Sequence, residues 1–138
     1  MKKEFLNPRT LPDWHQYFSQ VVTVATETTK TVYLSGQVGV DENNMVVGAD
    51  LGSQTEKAFN NLKNALTAAG ATTKDVVKLV IYVKNYRPEL GSIISKAVDK
   101  YFPFKELPAA TWIGVQSLSK EEFLIEVDAV AVVEMSKR

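Results

Sequence analysis

The hydrophobic positions of this chain begin as short β-branched runs. Val21-Val22-Thr23-Val24-Ala25 and Thr31-Val32-Tyr33-Leu34-Ser35 flank a polar connector at 26–30, and two such runs around a polar turn predict a hairpin. Gly36-Gln37-Val38-Gly39-Val40 runs on into the turn-prone Asp41-Glu42-Asn43-Asn44, and Met45-Val46-Val47 predicts a short further strand. The period then changes. Ala58, Phe59, Leu62, Ala65, Leu66 and Ala69 recur at steps of three and four, one face of a helix. Ser53-Gln54-Thr55-Glu56 has capping-box spacing at its start, and Gly70 stands where a left-handed residue stops it. Residues 76–83, VVKLVIYV, predict a strand. Pro88 opens a second helix with apolar Leu90, Ile93, Ile94, Ala97, Val98, Tyr101 and Phe102, and Pro103 ends it. Strands at 111–118 and 123–134 close the chain. The order ββ(β)-α-β-α-ββ predicts an α/β (α+β) layered domain with two crossovers sharing the strand at 76–83.

The closing strand carries more information than its period. Phe123, Ile125, Val127, Ala129, Ala131 and Val133 form a wholly apolar row that should face the helices. Leu124, Glu126, Asp128, Val130, Val132 and Glu134 form a second row, half apolar and half acidic, where a solvent face would be more polar. The strand at 76–83 is also apolar on both rows, Val76, Val80 and Tyr82 on one and Val77, Leu79, Ile81 and Val83 on the other. Two helices on one side leave the other face of the sheet bare. A bare apolar face of that size marks an interface, and self-association through it is expected; a segment from 1–18 folded back over the sheet is the alternative. Glu126 and Asp128 fall on this face. A carboxylate there is paired, wet or protonated. An intersubunit ion pair to lysine is the plainer reading of the spacing, and a general acid/base in a cleft between subunits is the functional one.

Length and composition change the picture mainly by exclusion. The 138 residues form one domain, 1–138, with 1–16, which holds Pro8 and Pro12, read as an N-terminal arm. Sixteen basic residues balance sixteen acidic ones, so no nucleic-acid partner is expected. The absence of Cys and the single His exclude thiolate catalysis, Cys-based zinc sites and His clusters, so neither metal nor cofactor is expected. No apolar run of signal length follows Lys2-Lys3 and none reaches membrane-spanning length, so a cytoplasmic protein without a membrane partner is expected. Nothing orients His15 and Ser35 for Ser-His-Asp catalysis, and Gly36-Gln37-Val38-Gly39 lacks the helix and lysine of a phosphate loop. Trp14, Tyr17 and Phe18 could stack on a flat ligand, but packing is the default reading without a basic stripe.

An ordered set of short motifs resembles the RidA (YjgF) family. They are Ser35-Gly36-Gln37 after a strand; Gln54-Thr55 leading to Asn60-Asn61-Leu62; Ala68-Ala69-Gly70 before Asp75-Val76-Val77-Lys78; Leu107-Pro108-Ala109; and Ile125-Glu126-Val127-Asp128-Ala129-Val130-Ala131. The resemblance runs from about Tyr17 to Glu134. It implies a chorismate-mutase-like fold, a mixed sheet with two helices on one face, and a homotrimer with a small-molecule ligand in each intersubunit cleft. It also implies hydrolysis of reactive enamines and imines such as 2-aminoacrylate; older names for relatives are endoribonuclease and translation inhibitor. On this resemblance Tyr17, Ser35 and Gly36 line the pocket, and Glu126 is the catalytic residue that holds or activates water. Deaminating members carry an arginine for the substrate carboxylate where this chain has Ala110 in Pro108-Ala109-Ala110-Thr111-Trp112, and alanine cannot supply that bidentate contact. Ser95 replaces the helical asparagine that meets the pocket, Thr111 would help fix the ligand, and Trp112 stands where a small residue is common. The expected function is therefore a metabolite-binding trimer, either an imine hydrolase with weak or absent 2-aminoacrylate activity or a binding or regulatory protein without turnover. A nuclease is the least favoured reading.

Overall fold

The computed structural model describes residues 1–136. One sheet holds strands β1 (Lys2–Leu6), β2 (Val21–Ala25), β3 (Thr29–Leu34), β4 (Gln37–Val38), β5 (Val76–Lys84), β6 (Ala109–Val115) and β7 (Ile125–Glu134). Helices α1 (Leu51–Ala68) and α2 (Gly91–Tyr101) connect β4 to β5 and β5 to β6. The strand order is β1-β2-β3-β7-β5-β6, with β4 pairing β7 beyond the end of β3. β5 and β6 are parallel, as a helical crossover requires, and the other pairings are antiparallel.

The hairpin, both helices and the strand–helix–strand order match the expectation, and the details depart from it in several places; the last two strands, expected at 111–118 and 123–134, are β6 and β7 with the bounds just given. Residues 2–6, expected within an arm, extend the sheet by pairing Lys2 to Ala25 through Leu6 to Val21. The centre of the sheet is β7, not β5: it lies between β3 and β5 and so separates the strands that the first crossover was expected to join side by side. Val46 makes a single bridge to Val40 instead of a strand at 45–47. The N-cap of α1 is Asp50, whose carboxylate accepts from Ser53 N–H at 2.8 Å. Ser53 is thus the third helical residue and not the cap, because an aspartate placed three residues earlier already satisfies its N–H.

At its far end α1 closes as the sequence predicted. Gly70 has φ +75°, its N–H donates to Thr67 C=O, and Ala71 N–H donates to Leu66 C=O, the paired bonds of a Schellman motif.

The main core lies between the helices and one face of the sheet. Phe59, Leu62, Leu66, Ile81, Ile94, Ile125 and Val127 are fully buried there. Each large side chain so buried contributes ~1.5–3 kcal/mol. The β7 rows separate as expected: Ile125, Val127, Ala129 and Ala131 are buried, while Glu126, Asp128 and Val130 are partly open. On β5 a bulge between Val76 and Lys78 shifts the register. Val76 therefore turns in with Leu79, Ile81 and Val83, and Val77 turns out to 49% exposure, the reverse of a strict alternation. Among the described residues the N-terminal segment reaches the outward face only at the Glu126 end, where Trp14, Tyr17 and Phe18 stand, and leaves the rest of it uncovered. β1 lies at the sheet edge, and Leu11 packs into the helix-side core.

Candidate functional site

Glu126 sits on the outward row of the central strand, in register with Tyr82 on β5 and Val38 on β4. The chain reaches β4 from β3 through Ser35 and Gly36. Gly36 lies directly against the Glu126 side chain; a Cβ added there would collide with the carboxylate, whose carbon would be 2.5 Å away. This close approach accounts for glycine at position 36. Among the described residues no group donates a hydrogen bond to the Glu126 carboxylate.

Around this carboxylate opens a cleft of ≈ 510 Å³, with Ser35, Gly36 and Glu126 at its floor and Tyr17 at its side. Four of the residues expected in the site are thus brought together within one chain. Trp14 and Phe18 join Tyr17 as cleft walls, edge to face with centroids 5.8 Å apart. The default reading that these rings pack holds for Trp14, which lies on the cluster of Val38, Val40 and Phe123, and for Phe18 against it, but not for Tyr17, which is 79% exposed. Phe123 completes the wall from a second, smaller hydrophobic cluster with Val38 and Val40. Lys120, Ser119 and Asn44 stand at the cleft as well. Phe123 was legible only as the first apolar position of the strand expected at 123–134, which begins instead at Ile125, and nothing in the sequence signalled Lys120, which lies on the loop before that strand.

Buried amides hold the floor in place. Gln20 Nε2 donates to Pro12 C=O at 3.1 Å, and Gln37 Nε2 donates to Gln20 Oε1 at 2.8 Å and to Ser35 C=O at 3.1 Å. Asn61 of α1 donates through Nδ2 to Val38 and Val40 C=O. Gln54 donates to Gly48 and Glu122 C=O and accepts from Leu124 N–H, fastening the loop that carries Lys120 and Phe123. Ser35 Oγ donates to Ser19 C=O at 2.6 Å. That hydroxyl is a structural tie, and His15 pairs instead with Asp13 at the surface, at 2.5 Å, so the two residues do not form a nucleophile–base pair.

Burial pushes the Glu126 carboxyl above the ordinary glutamate value, and the Asp128 charge adds to the rise. Asp128 is raised by burial too, partly offset by a hydrogen bond from Tyr82 and by the charge of Lys78. The Asp128 charge in turn is the main cause of a raised Tyr82 phenol. Two carboxylates with elevated proton affinity thus share one partly covered face, which makes each a stronger proton acceptor than an ordinary carboxylate.

Thr111, Ala110 and Trp112 lie on β6, the far edge of the sheet, and Ser95 is exposed on α2; none lines this cleft. Ala110 pairs with Leu79 and Thr111 with Val80. Thr111 Oγ1 accepts from Lys78 Nζ at 3.2 Å. Trp112 lies toward the start of α2, within 3.9 Å of where a Gly91 Cβ would be. Arg87 pairs with Glu89 at the surface at 2.8 Å. A larger groove, ≈ 900 Å³, runs between α1 and α2. On its wall Glu56 meets Lys100 Nζ at 2.5 Å and accepts from Tyr101 OH at 2.8 Å. Burial and this carboxylate push the Tyr101 phenol up to about 12. No group of three or more His, Cys, Asp or Glu side chains could hold a metal among the described residues. No described helix is long and apolar enough to cross a membrane.

Compared with known proteins, the chain matches the Endoribonuclease L-PSP family model over residues 10–133. The chain belongs to this family. Its relatives include the RidA/YjgF proteins that the sequence motifs resemble, and the fold agrees. The solved RidA of the Antarctic bacterium Psychrobacter superposes with a TM-score of 0.82 at 25% identity, covering 94% of this chain and 99% of that one. The chain is 33% identical to a 2-iminobutanoate/2-iminopropanoate deaminase of Dermatophagoides farinae, over 85% of this chain and 86% of the relative. It is 36% identical to the 3-aminoacrylate deaminase RutC of Acinetobacter baylyi, over 78% and 82%.

Proposed function

We propose that this RidA-family chain hydrolyses a reactive imine or enamine in the cleft above Glu126. The observation that carries the reading is the Glu126 carboxylate itself: on the cleft floor, against Gly36, without a hydrogen-bond donor, and with raised proton affinity. A water between it and a bound C=N group would lose a proton to Glu126 as its oxygen bonds to the carbon. Glu126 passes that proton to the nitrogen, giving a carbinolamine; it then takes the hydroxyl proton and delivers it to the nitrogen as the C–N bond breaks, so that ammonia leaves, the carbonyl forms and the carboxylate is restored. An enamine first takes a proton on carbon to become the imine. The named activities of the deaminase relatives support this reaction class.

The working form is a homotrimer in this reading. The outward face, with Val80, Tyr82, Val130 and Val132 beside the exposed edge strand β6, is the surface that neighbouring copies would cover. β6 of one copy, with Ala110, Thr111 and Trp112, and its Ser95 would then approach the Glu126 cleft of the next. Ala110 offers no cation to a substrate carboxylate there, so 2-aminoacrylate should be hydrolysed weakly or not at all. This substitution also favours a second reading, a ligand-binding trimer without turnover.

The deciding measurement is ammonia release from imines generated in place by an amino-acid oxidase. Glu126→Gln should lower the rate by about 10²–10⁴-fold, the usual weight of general-base catalysis. An unchanged rate, or no release from any imine, would leave the binding reading. Ala110→Arg should create binding of small 2-keto acids by calorimetry, and no gain would contradict the proposed approach of β6 to the cleft.

A further inference from the structure

The cleft has more room and more aromatic surface than a three- or four-carbon imine would use. Its ≈ 510 Å³ lies within the range of pockets that enclose drug-sized ligands. Trp14, Tyr17 and Phe18 line it from the N-terminal segment above the buried Phe123, and Tyr17 and Phe18 remain 79% and 40% exposed, with only one ring pair, Trp14–Phe18, formed among the three N-terminal rings. Exposed rings lining a concave wall suit a flat apolar body that would bury them.

The charges around the cleft are divided. Glu126 is the acidic lining residue, and Lys120 is the basic one. Lys120 Nζ lies 5.9 Å from the Phe123 ring centroid. Among the described residues it forms no ion pair, its neighbour Glu121 being held by Lys84 at 3.1 Å. Ser119 and Asn44 stand on the same cleft. An anionic group is repelled from the ionised Glu126 and attracted to Lys120, so a ligand with one anionic end has a single favourable orientation.

We infer that the cleft takes a 2-imino acid with an aromatic or similarly large flat side chain: Lys120, an exposed single-point cation, orients its carboxylate, and contact with the Trp14, Tyr17 and Phe18 rings supplies the hold that 2-aminoacrylate, without a ring and without an arginine at position 110, lacks. This rests on the imine-hydrolase reading for the reacting group, and goes beyond it in naming the substrate class and a specificity residue. The Lys120 side chain is exposed, so its replacement leaves the folded core untouched.

The experiment uses three stable probes by calorimetry on the intact protein: phenylpyruvate, phenylacetone, which keeps the ring and ketone without the carboxylate, and pyruvate, which keeps the carboxylate without the ring. Phenylpyruvate should bind most tightly. Lys120→Ala should weaken it roughly tenfold or more, as loss of a hydrogen bond to a charged group does. Lys120→Glu should weaken it further, Lys120→Arg should retain it, and phenylacetone should respond to none of the three. Phenylpyruvate affinity unchanged in Lys120→Ala and Lys120→Glu, or pyruvate binding as tightly as phenylpyruvate, would overturn the inference. Ammonia release from the imines of phenylalanine and alanine, measured in parallel, separates the two claims. Lys120-dependent phenylpyruvate binding without any imine turnover sinks the hydrolase and supports the ligand class. Glu126-dependent turnover that ignores both the ring and Lys120 does the reverse.

Discussion

Gly36 and Glu126 are a matched pair: the carboxylate occupies the space where any larger residue at position 36 would place its Cβ. Gly36→Ala must therefore displace the Glu126 side chain. Turnover should fall nearly as far as in Glu126→Gln while thermal stability changes little, and steady-state kinetics beside a melting curve separates the two effects. The pH profile tests the electrostatics of the same site. A carboxylate acting as base works while ionised, and burial with the Asp128 charge holds Glu126 above its ordinary value of 4.5. The acidic limb of kcat/KM should therefore lie above pH 4.5, and Asp128→Asn should move it downward by removing the neighbouring charge. The same shifts bear on stability. Because Glu126 and Asp128 both bind protons more tightly folded than unfolded, the chain loses stability as pH rises from their ordinary values through their folded ones. Urea titrations across that window should show the loss, and a steeper decline in Glu126→Gln than in the parent would contradict the assignment.

At the level of elements, the site depends on how α1 grips strands and loops that never touch one another in sequence. Gln54 is fully buried and serves two backbone carbonyls and one N–H from segments on either side of the helix. Gly39 is the complement of that grip, since a Cβ there would stand 2.7 Å from the Gln54 Cα. Gln54→Leu removes all three bonds at once. Leaving buried backbone groups unpaired costs about 1–3 kcal/mol each, so denaturant unfolding should show a loss of several kcal/mol. The loop bearing Lys120 and Phe123 should also lose amide-exchange protection before the core does. A near-neutral substitution would mean that water replaces the amide and that Gln54 is not the fastener of this loop.

For the whole molecule the governing feature is a sheet with helices on one face alone. Its open side carries Val80, Tyr82, Val130 and Val132 around two carboxylates of raised proton affinity, beside an exposed edge strand. Sedimentation should give three times the 15.3 kDa protomer mass. Val80→Asp together with Val132→Asp should shift the population toward protomers and reduce turnover in proportion, because the β6 residues would no longer reach the neighbouring cleft. A parent protein that sediments as a single protomer at micromolar concentration would remove the trimer, and with it the proposed role of Ala110.

Hydrophobic periodicity by itself determined the two helices, most of the strands, the two-sided character of β7 and the presence of acidic groups on its outer row. Each of these depends on which residues repeat at two or at three to four positions, a local property of the chain. The family resemblance also singled out Tyr17, Ser35, Gly36 and Glu126, which the fold gathers around one cleft. Other features required the folded chain. The bulge that turns Val76 inward, the placing of β7 and not β5 at the centre, and the pairing of residues 2–6 with β2 depend on hydrogen-bond partners distant in sequence. The cleft wall is of the same kind. Trp14, Phe18, Phe123 and Lys120 become neighbours only because long-range amide bonds draw the N-terminal segment and the loop before β7 to one end of the sheet, and such bonds leave no period in the sequence to read.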